Sequence, residues 1–468
     1  MAKLHFYGGT RIVSGSCYLL EVNDPLRPRS EASKKILIDC GLFQGSREFE
    51  AKNHAPFPFN PKEIDCVIIT HSHLDHIGRL PTLVKAGFRG KIFATLPTIE
   101  FTHLMLEDSK KVMKEKARHA DAIPLFYEGE IDEMMKFFVP VGYHEKTEIS
   151  DFISFKFHEA GHILGSAFIE LTFQEVRSNE SGKKTIIFSG DLGNLSVPII
   201  KPLENIGEAD YVLIESAYGD KMHEDKRLAK DMIEDATEET IARHGVLMIP
   251  SFAMERTQQL LFHFNELVEH KRIPAIPIFI DSPLATEVTK VYKKFTDFFN
   301  SEAKNMVLVG DDIFKFPGLK YTPSVKESKE INDIAPPKII IAGSGMSQGG
   351  RIVHHEVRYL PDERNTLLMV TYQAHGTLGR KILEGAKEVE ILDQKISVRA
   401  KVKSISSYSA HADQKGLLDW LCCLQKPVKK IFVVQGEEEP ANVLAQKIKD
   451  SMGIDAQVPR FGQVTELS

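Results

Sequence analysis

Chemistry-bearing residues crowd into HSHLDHIG, His71 to Gly78, where three histidines and one aspartate fall within six residues. In extended chain His71 and His73 point the same way, and Asp75 and His76 follow as the chain turns. Imidazole and carboxylate donors packed so closely suit Zn²⁺ or a similar transition metal. A polar turn with a chance histidine cluster is the alternative, but it gives no reason for so many donors side by side. Two further ligand candidates lie next to apolar runs: His162 in GHILGSA and Asp191 in SGDLG. Alone, the first would read as a surface or core histidine and the second as a cap or turn residue. Beside the first cluster both read as ligands. Asp39, in IDCGLFQG, is either a partner that orients a ligand histidine or a turn-forming aspartate. His158, four residues before His162, is left without a role.

A second kind of chemistry is suggested by GSGMSQGGR, Gly343 to Arg351. Backbone N–H groups of glycines at a helix start can cradle a phosphate, and an arginine adds a forked donor. Ser344, Gly345, Gly349, Gly350 and Arg351 are therefore candidate substrate contacts, with a simple turn as the alternative. Arg256 and Arg380 are candidates for the same cleft, or only solvate a surface. The motif does not fit GxxxxGK[ST], which argues against a nucleoside-triphosphate site.

These residues need elements to hold them. Short apolar runs bounded by Gly, Pro, Asp or Asn recur: ILID before Cys40, CVIIT ending at Thr70, TIIFSG ending at Gly190 and YVLIE ending at Glu215. VLMIP ending at Pro250, IPIFID ending at Asp281, IIIA ending at Ala342, TLLMVT ending at Thr371 and IFVV ending at Val434 continue the series. Continuous hydrophobicity at that length predicts strands covered on both faces. Helices are predicted over Thr98–Ala120, Arg227–His244, Arg256–His270 and Thr286–Asn300, and alternation with strands indicates α/β layers. SNESGKK ending at Lys184 and PSVKESKEINDIAPP ending at Pro337 read as loops.

At 468 residues the chain has room for two or three folding units. Apolar residues at 42% and charged residues at 26% exclude disorder and collagen-like repeats. The net charge of −6 announces no nucleic-acid partner by bulk basicity, so any polyanion must be held by local groups or bound cations. Five cysteines without a CxxC pair read as small buried hydrophobes in a reducing compartment. No leader-like start and no run of 18 apolar residues is seen, so a cytoplasmic protein is expected.

The ordered set HxHxDH, GH and GDLG resembles the metallo-β-lactamase fold, and other motifs are similar to its β-CASP nuclease branch. ESAYGD puts Glu215 at the acidic position of that branch's first additional motif, and SYSAHAD puts His411 at the histidine of the second. SFAMERTQ, IDSPLA, GSGMSQGGR and GTLGR resemble the inserted domain. The likeness covers essentially the whole chain and points to prokaryotic relatives of the nuclease subunit of the mRNA cleavage and polyadenylation machinery. With MAKLHF as the start, the RNA-binding KH domains of some archaeal relatives are expected to be absent.

The resemblance implies an α/β architecture: a metallo-β-lactamase αββα sandwich over residues 1–219, an inserted α/β β-CASP domain over 220–405, and a completing segment over 406–468, with substrate between the domains. It implies one metal on His71, His73 and His162, a second on Asp75 and His76, and Asp191 bridging them. Zn²⁺ is the expected cofactor, and Asp75 is also expected to be catalytic. Two such ions can activate a shared water and neutralise phosphate oxygens. His411 is expected to act as general acid, kept protonated by Glu215, since a neighbouring carboxylate raises a histidine pKa. The expected activity is hydrolysis of phosphodiester bonds in single-stranded RNA, endonucleolytic with exonucleolytic cleavage open, in RNA processing or decay. No membrane partner is expected, and a homodimer is left open.

Gln435 departs from the pattern. The family usually carries a histidine there, in HGE at a strand end, where this chain has QGEEE. An amide oxygen is a weaker Zn²⁺ ligand than imidazole. The expectation is one firmly held ion and a second that is partial. The rival expectation is a catalytically impaired RNA-binding or scaffold paralogue, and it rests on Gln435 alone. A thioesterase or lactonase would leave the inserted domain unexplained. His375 stands where the pattern suggests Glu and reads as a surface or core histidine.

Overall fold

The structure is a computed structural model that describes residues 2–25, 33–119, 123–177, 180–194, 197–223, 228–405 and 408–467. The chain divides into two compact units. One comprises Met1–Leu195, Pro202–Met222 and His411–Ser468, the other Ser196–Lys201 and His223–Ala410.

Two seven-stranded sheets build the first unit. In the first sheet the order is Val464–Leu467, Ala2–Phe6, Tyr18–Asn23, Ser33–Ile38, Cys66–Ile68, Lys91–Ala94 and Phe138–Pro140. The first four strands pair antiparallel and the rest parallel. In the second it is Ala456–Gln457, Lys430–Val434, Tyr211–Glu215, Glu180–Phe188, Ala167–Arg177, Ile153–Glu159 and Thr147–Ser150. Here the first four are parallel and the others antiparallel.

The strand period of two explains the layering. Ile36, Ile38 and Ile68 from one sheet share a core with Ile186, Leu213, Phe432 and Val434 from the other. Their neighbours point away: Leu37 and Val67 pack in the core with Leu80, Leu83 and Met134 of helices Leu80–Lys85 and Glu130–Met135. Ile187, Val212 and Ile431 pack with Leu417 and Leu444 of helices Gln414–Cys422 and Glu438–Met452. Both faces of these strands are buried, which is why they read as unbroken apolar runs.

The second unit holds a wholly parallel six-stranded sheet, ordered Leu319–Tyr321, Ile278–Asp281, Lys338–Ala342, Val246–Pro250, Thr366–Met369 and Lys401–Ser404. Helices Leu228–Ala242, Arg256–Glu269, Pro283–Lys294 and Ile352–Tyr359 accompany it.

Several expectations need correction. The helix expected over Thr286–Asn300 starts earlier, because Ser282 accepts a cap bond from the Ala285 N–H and Pro283 follows at the first turn. It ends at Lys294, and a 3₁₀ turn follows over Thr296–Phe298. Ser181–Lys184, read as loop, extends the strand Glu180–Phe188 paired with Ala167–Arg177; 178 and 179 lie outside the described residues. The stretch before Pro337 contains a helix, Val325–Glu330, closed by a capping box between Ser324 and Glu327. Cys17, Cys40 and Cys66 are buried as expected, but Cys422 is exposed and Cys423 half-buried; all five are free thiols. No helix among the described residues is long and apolar enough to cross a membrane.

Glu356 in the second unit yields a pH test. It is fully buried on helix Ile352–Tyr359, accepts the Ser347 hydroxyl at 2.5 Å, and leaves Oε2 without a partner among the described residues. Burial pushes its carboxyl up to about 8. Between the ordinary glutamate value and about 8, the folded chain keeps a proton that the unfolded chain has released, so stability falls as pH rises through that window. Glu356→Gln should therefore gain on the parent as pH rises, its melting-temperature advantage growing by about 5–10 °C between pH 5 and 8.5. A difference that stays constant with pH would show an unperturbed carboxyl.

Candidate metal centre

The carboxyl ends of parallel strands are where side chains from different strands converge on an open edge. In the first unit Asp39 follows Ser33–Ile38, Thr70 and His71 follow Cys66–Ile68, and Asp191 follows Glu180–Phe188. Glu215 ends Tyr211–Glu215, and Gln435 follows Lys430–Val434. Asp75 and His76 sit on the short helix Leu74–Ile77, entered from His73. His162 occupies the turn between Ile153–Glu159 and Ala167–Arg177. Close approach of two of these loops requires Gly193, since a Cβ there would lie 1.8 Å from the Gly161 carbonyl oxygen.

The ligand atoms of His71, His73, His162 and Asp191 all lie within 4.8 Å of one another, and so do those of Asp75, His76 and Asp191. His73 Nδ1 stands 3.1 Å from His71 Nε2 and 3.2 Å from His162 Nε2. Asp191 lies between the two groups: Oδ2 is 3.5 Å from His71 Nε2 and 3.6 Å from His162 Nε2, while Oδ1 is 3.3 Å from His76 Nε2. Burial, aided by the His76 charge, holds His71 well below the usual histidine range, and burial takes His73 down to about 4. Three imidazole nitrogens converging with a carboxylate oxygen make a donor set that a shared divalent cation suits. The residues present thus fit a divalent metal.

Charge is distributed unevenly around the second group. Burial opposes ionisation at Asp191, but His76 and His71 outweigh it and hold the carboxyl well below the usual range. Burial also opposes charge on His76, yet Asp191, Asp39 and Asp75 together raise it well above the usual histidine value. Asp75 is pushed up to about 6, chiefly by burial.

Asp39 has the geometry for both readings left open for it. Its φ of 58° makes the turn, and its carboxylate stands 2.7 Å from His76 Nδ1. It also accepts the Thr70 N–H at 2.9 Å and the Ser16 hydroxyl at 3.2 Å. A carboxylate on Nδ1 keeps the proton there and leaves Nε2 for a metal. Asp39→Asn should loosen metal at this group about 10–100-fold, read as metal remaining after dialysis against a chelator. Retention equal to the parent would mean that Asp39 only shapes the turn.

Gln435 reaches the same nitrogen. It is buried with φ at 50°, and its Nε2 stands 3.0 Å from His76 Nε2 while the Tyr18 hydroxyl lies 3.4 Å from Oε1. With the His76 proton on Nδ1, the amide donates to the Nε2 lone pair; with His76 doubly protonated, the amide must turn its oxygen inward. In either case position 435 lies against His76 Nε2, the nitrogen that also faces Asp191.

His411 and Glu215 meet beside the first group. His411 Nδ1 is 3.2 Å from both carboxylate oxygens of Glu215 and 4.0 Å from Asp191 Oδ2. Glu215 is fully buried, and Oε1 accepts the Leu192 N–H at 2.6 Å. Burial would depress the His411 pKa, but Glu215 overrides it and the net result is about 9.

The other expected contacts are all in the second unit. Ser344, Gly345, Gly349, Gly350 and Arg351 form a loop at the carboxyl end of Lys338–Ala342, closed by the Ser344 N–H on Gly349 O at 3.1 Å. Gly350 is required there, with φ at 69° and the Gly343 carbonyl 2.4 Å from any Cβ. Arg351 differs from expectation. Its guanidinium turns inward, donating to Asp281 Oδ1 at 2.7 Å and to the Thr322 and Pro323 carbonyls at 2.5 and 2.7 Å. Arg256 is buried, bonds Gln259 at 2.8 Å and lies 4.8 Å over the Tyr408 ring. Arg380 bonds Glu384 at 2.7 Å, and its helix rests on the loop through the Gly379 N–H on Met346 O. His375 is exposed, as a surface histidine would be.

The sequence reading did not single out Thr70, whose hydroxyl stands 3.1 Å from His71 Nδ1 and 3.3 Å from His76 Nδ1. Its place directly before the first histidine was the available signal.

Comparison with known proteins follows the same divisions. Residues 30–178 match a family described as a metallo-beta-lactamase superfamily domain, and 257–382 match a Beta-Casp domain. Residues 395–459 match a Zn-dependent metallo-hydrolase RNA specificity domain. Ribonuclease TTHA0252 of Thermus thermophilus is 37% identical over 463 residues, which is 98% of each chain. An RNase J-like protein of Methanocaldococcus jannaschii is 32% identical over 99% of each. The transcription termination factor FttA of Methanosarcina mazei is 29% identical over 96% of this chain and 69% of its own length. A crystal structure of an Enterococcus faecalis protein of unknown function shares the fold, with a TM-score of 0.52 at 11% identity over the full length of both.

Proposed function

The chain belongs to the β-CASP branch of the metallo-β-lactamase superfamily, a family of RNA-acting metallo-hydrolases, and on that premise we propose that it is a zinc-dependent nuclease cleaving phosphodiester bonds within single-stranded RNA. The observation that carries the reading is the convergence of two ligand groups on Asp191, with His411 backed by Glu215 alongside. His71, His73, His162 and Asp191 would hold one ion, and Asp75, His76 and Asp191 a second. Bound there, divalent metal supplies Lewis acidity toward water and the phosphoryl oxygens.

The chain's own groups divide the remaining work. Asp39 fixes the His76 ring through Nδ1. Asp75, whose carboxylate shares the group with His76 and Asp191, would help to hold the ion and to orient the attacking water. His411 holds a proton against Glu215 and gives it to the departing oxygen. A cytoplasmic setting suits five free thiols.

The test is cleavage of end-labelled single-stranded RNA with metal content measured on the same sample. We expect cleavage that a chelator abolishes and Zn²⁺ restores. A metal-replete chain that binds the RNA without cutting it would favour the scaffold reading instead.

A further inference from the structure

We propose that His144, His158 and Glu204 form an additional divalent-cation site in the first unit, of a chemistry that takes Zn²⁺ or a similar borderline metal. It shares no residue with the ligand cluster around Asp191. Ligand atoms of the three residues all lie within 4.8 Å of one another. His144 Nε2 is 3.2 Å from Glu204 Oε1, and His158 Nδ1 is 3.5 Å from Glu204 Oε2. Two imidazoles and one carboxylate are a known zinc donor set that leaves a fourth position for water. His144 is exposed and His158 and Glu204 are half-buried, so the cluster is open to solvent.

A second observation points the same way. The remaining nitrogen of His158, Nε2, stands 3.1 Å from Glu170 Oε2. A carboxylate on the far nitrogen of an imidazole fixes its proton there and turns the other lone pair toward a metal, the arrangement that accompanies most histidine ligands. Glu170 therefore aims His158 Nδ1 at the space shared with His144 and Glu204. The His158 ring is further held in plane by stacking on Phe168 at 4.8 Å and 10°.

The backbone also presents the three groups from separate segments. His158 lies on strand Ile153–Glu159. His144, at φ 63°, is anchored by its N–H on Phe157 O at 2.8 Å. Glu204 is tied on both sides, its N–H to Glu159 O at 3.1 Å and its carbonyl to Trp420 Nε1 at 2.9 Å. A cation would clip the turn and the loop onto the strand that leads to His162.

The experiment measures zinc per chain after equilibration with Zn²⁺ and dialysis, for the parent, His144→Ala and Glu170→Gln. His144→Ala should hold one equivalent less than the parent, show a smaller Zn²⁺-dependent rise in melting temperature, and cleave RNA at the parental rate. Glu170→Gln should bind the same equivalent about 10–100-fold more weakly. His73→Ala should disturb the other cluster and keep this equivalent, so failure of the proposed reaction and failure of this site are separable. Equal zinc in parent and His144→Ala, or Glu170→Gln binding as tightly as the parent, would reduce the cluster to ion pairs and overturn the site.

Discussion

His411→Ala should lower RNA cleavage by about 10²–10⁴-fold and leave the metal content unchanged. The size follows from the loss of a positioned acid, and the sparing of metal follows from geometry. His411 Nδ1 is engaged with Glu215 and stands 4.0 Å from Asp191, while His71, His73 and His162 keep Asp191 between them. The same pairing predicts the pH behaviour. Glu215 raises the His411 pKa against burial, so the acid form persists to higher pH and activity falls only as pH climbs past it. Glu215→Gln removes that support and should move the alkaline limb to lower pH while leaving the acidic limb in place. A variant His411→Ala that loses metal, or a limb that does not move, would strip His411 of the acid role.

Gln435→His should raise both the occupancy of the second metal and the rate. The backbone requirement is already met, since Gln435 Nε2 is 3.0 Å from His76 Nε2. In the parent, that amide competes for the nitrogen a metal would need. Losing even an outer partner of a ligand typically costs about 10–100-fold in metal affinity, and replacing a ligating imidazole should cost no less. At the cluster around Asp191 the parent is thus expected to keep one ion through dialysis and to shed most of the other. Two full equivalents in a His144→Ala background, unchanged by Gln435→His, would mean that the site compensates for the amide.

The cluster itself was legible because His71, His73, Asp75 and His76 are neighbours in the chain, and local spacing survives folding. The parallel strands were legible for a similar reason: burial on both faces leaves runs such as YVLIE with no polar interruption. The antiparallel strand ISFKFHE escaped notice because it alternates, with Phe155 and Phe157 in the core and Lys156 and His158 outside it. The capping box at Ser324 was present in the sequence but sat inside a polar stretch. What could not be read were partners set by tertiary packing. Arg351 looks like a free phosphate fork until Asp281, 70 residues away, is seen to take it. His144, His158, Glu170 and Glu204 carry no motif because four segments bring them together.

The pairing of Tyr211–Glu215 with Lys430–Val434 has a consequence for biosynthesis. More than 200 residues, including the whole parallel sheet of the second unit, are translated between those two strands. At about 5–20 residues per second, one edge of the first unit stays open on the ribosome for roughly 10–40 s. That edge belongs to an apolar strand, the kind most prone to pair with a neighbouring nascent chain. His411 and Gln435 emerge only at the end of this interval. With the roles proposed for them, a half-made chain would lack both the acid and the residue beside His76, and cleavage would have to wait until nearly all of the sequence has been read.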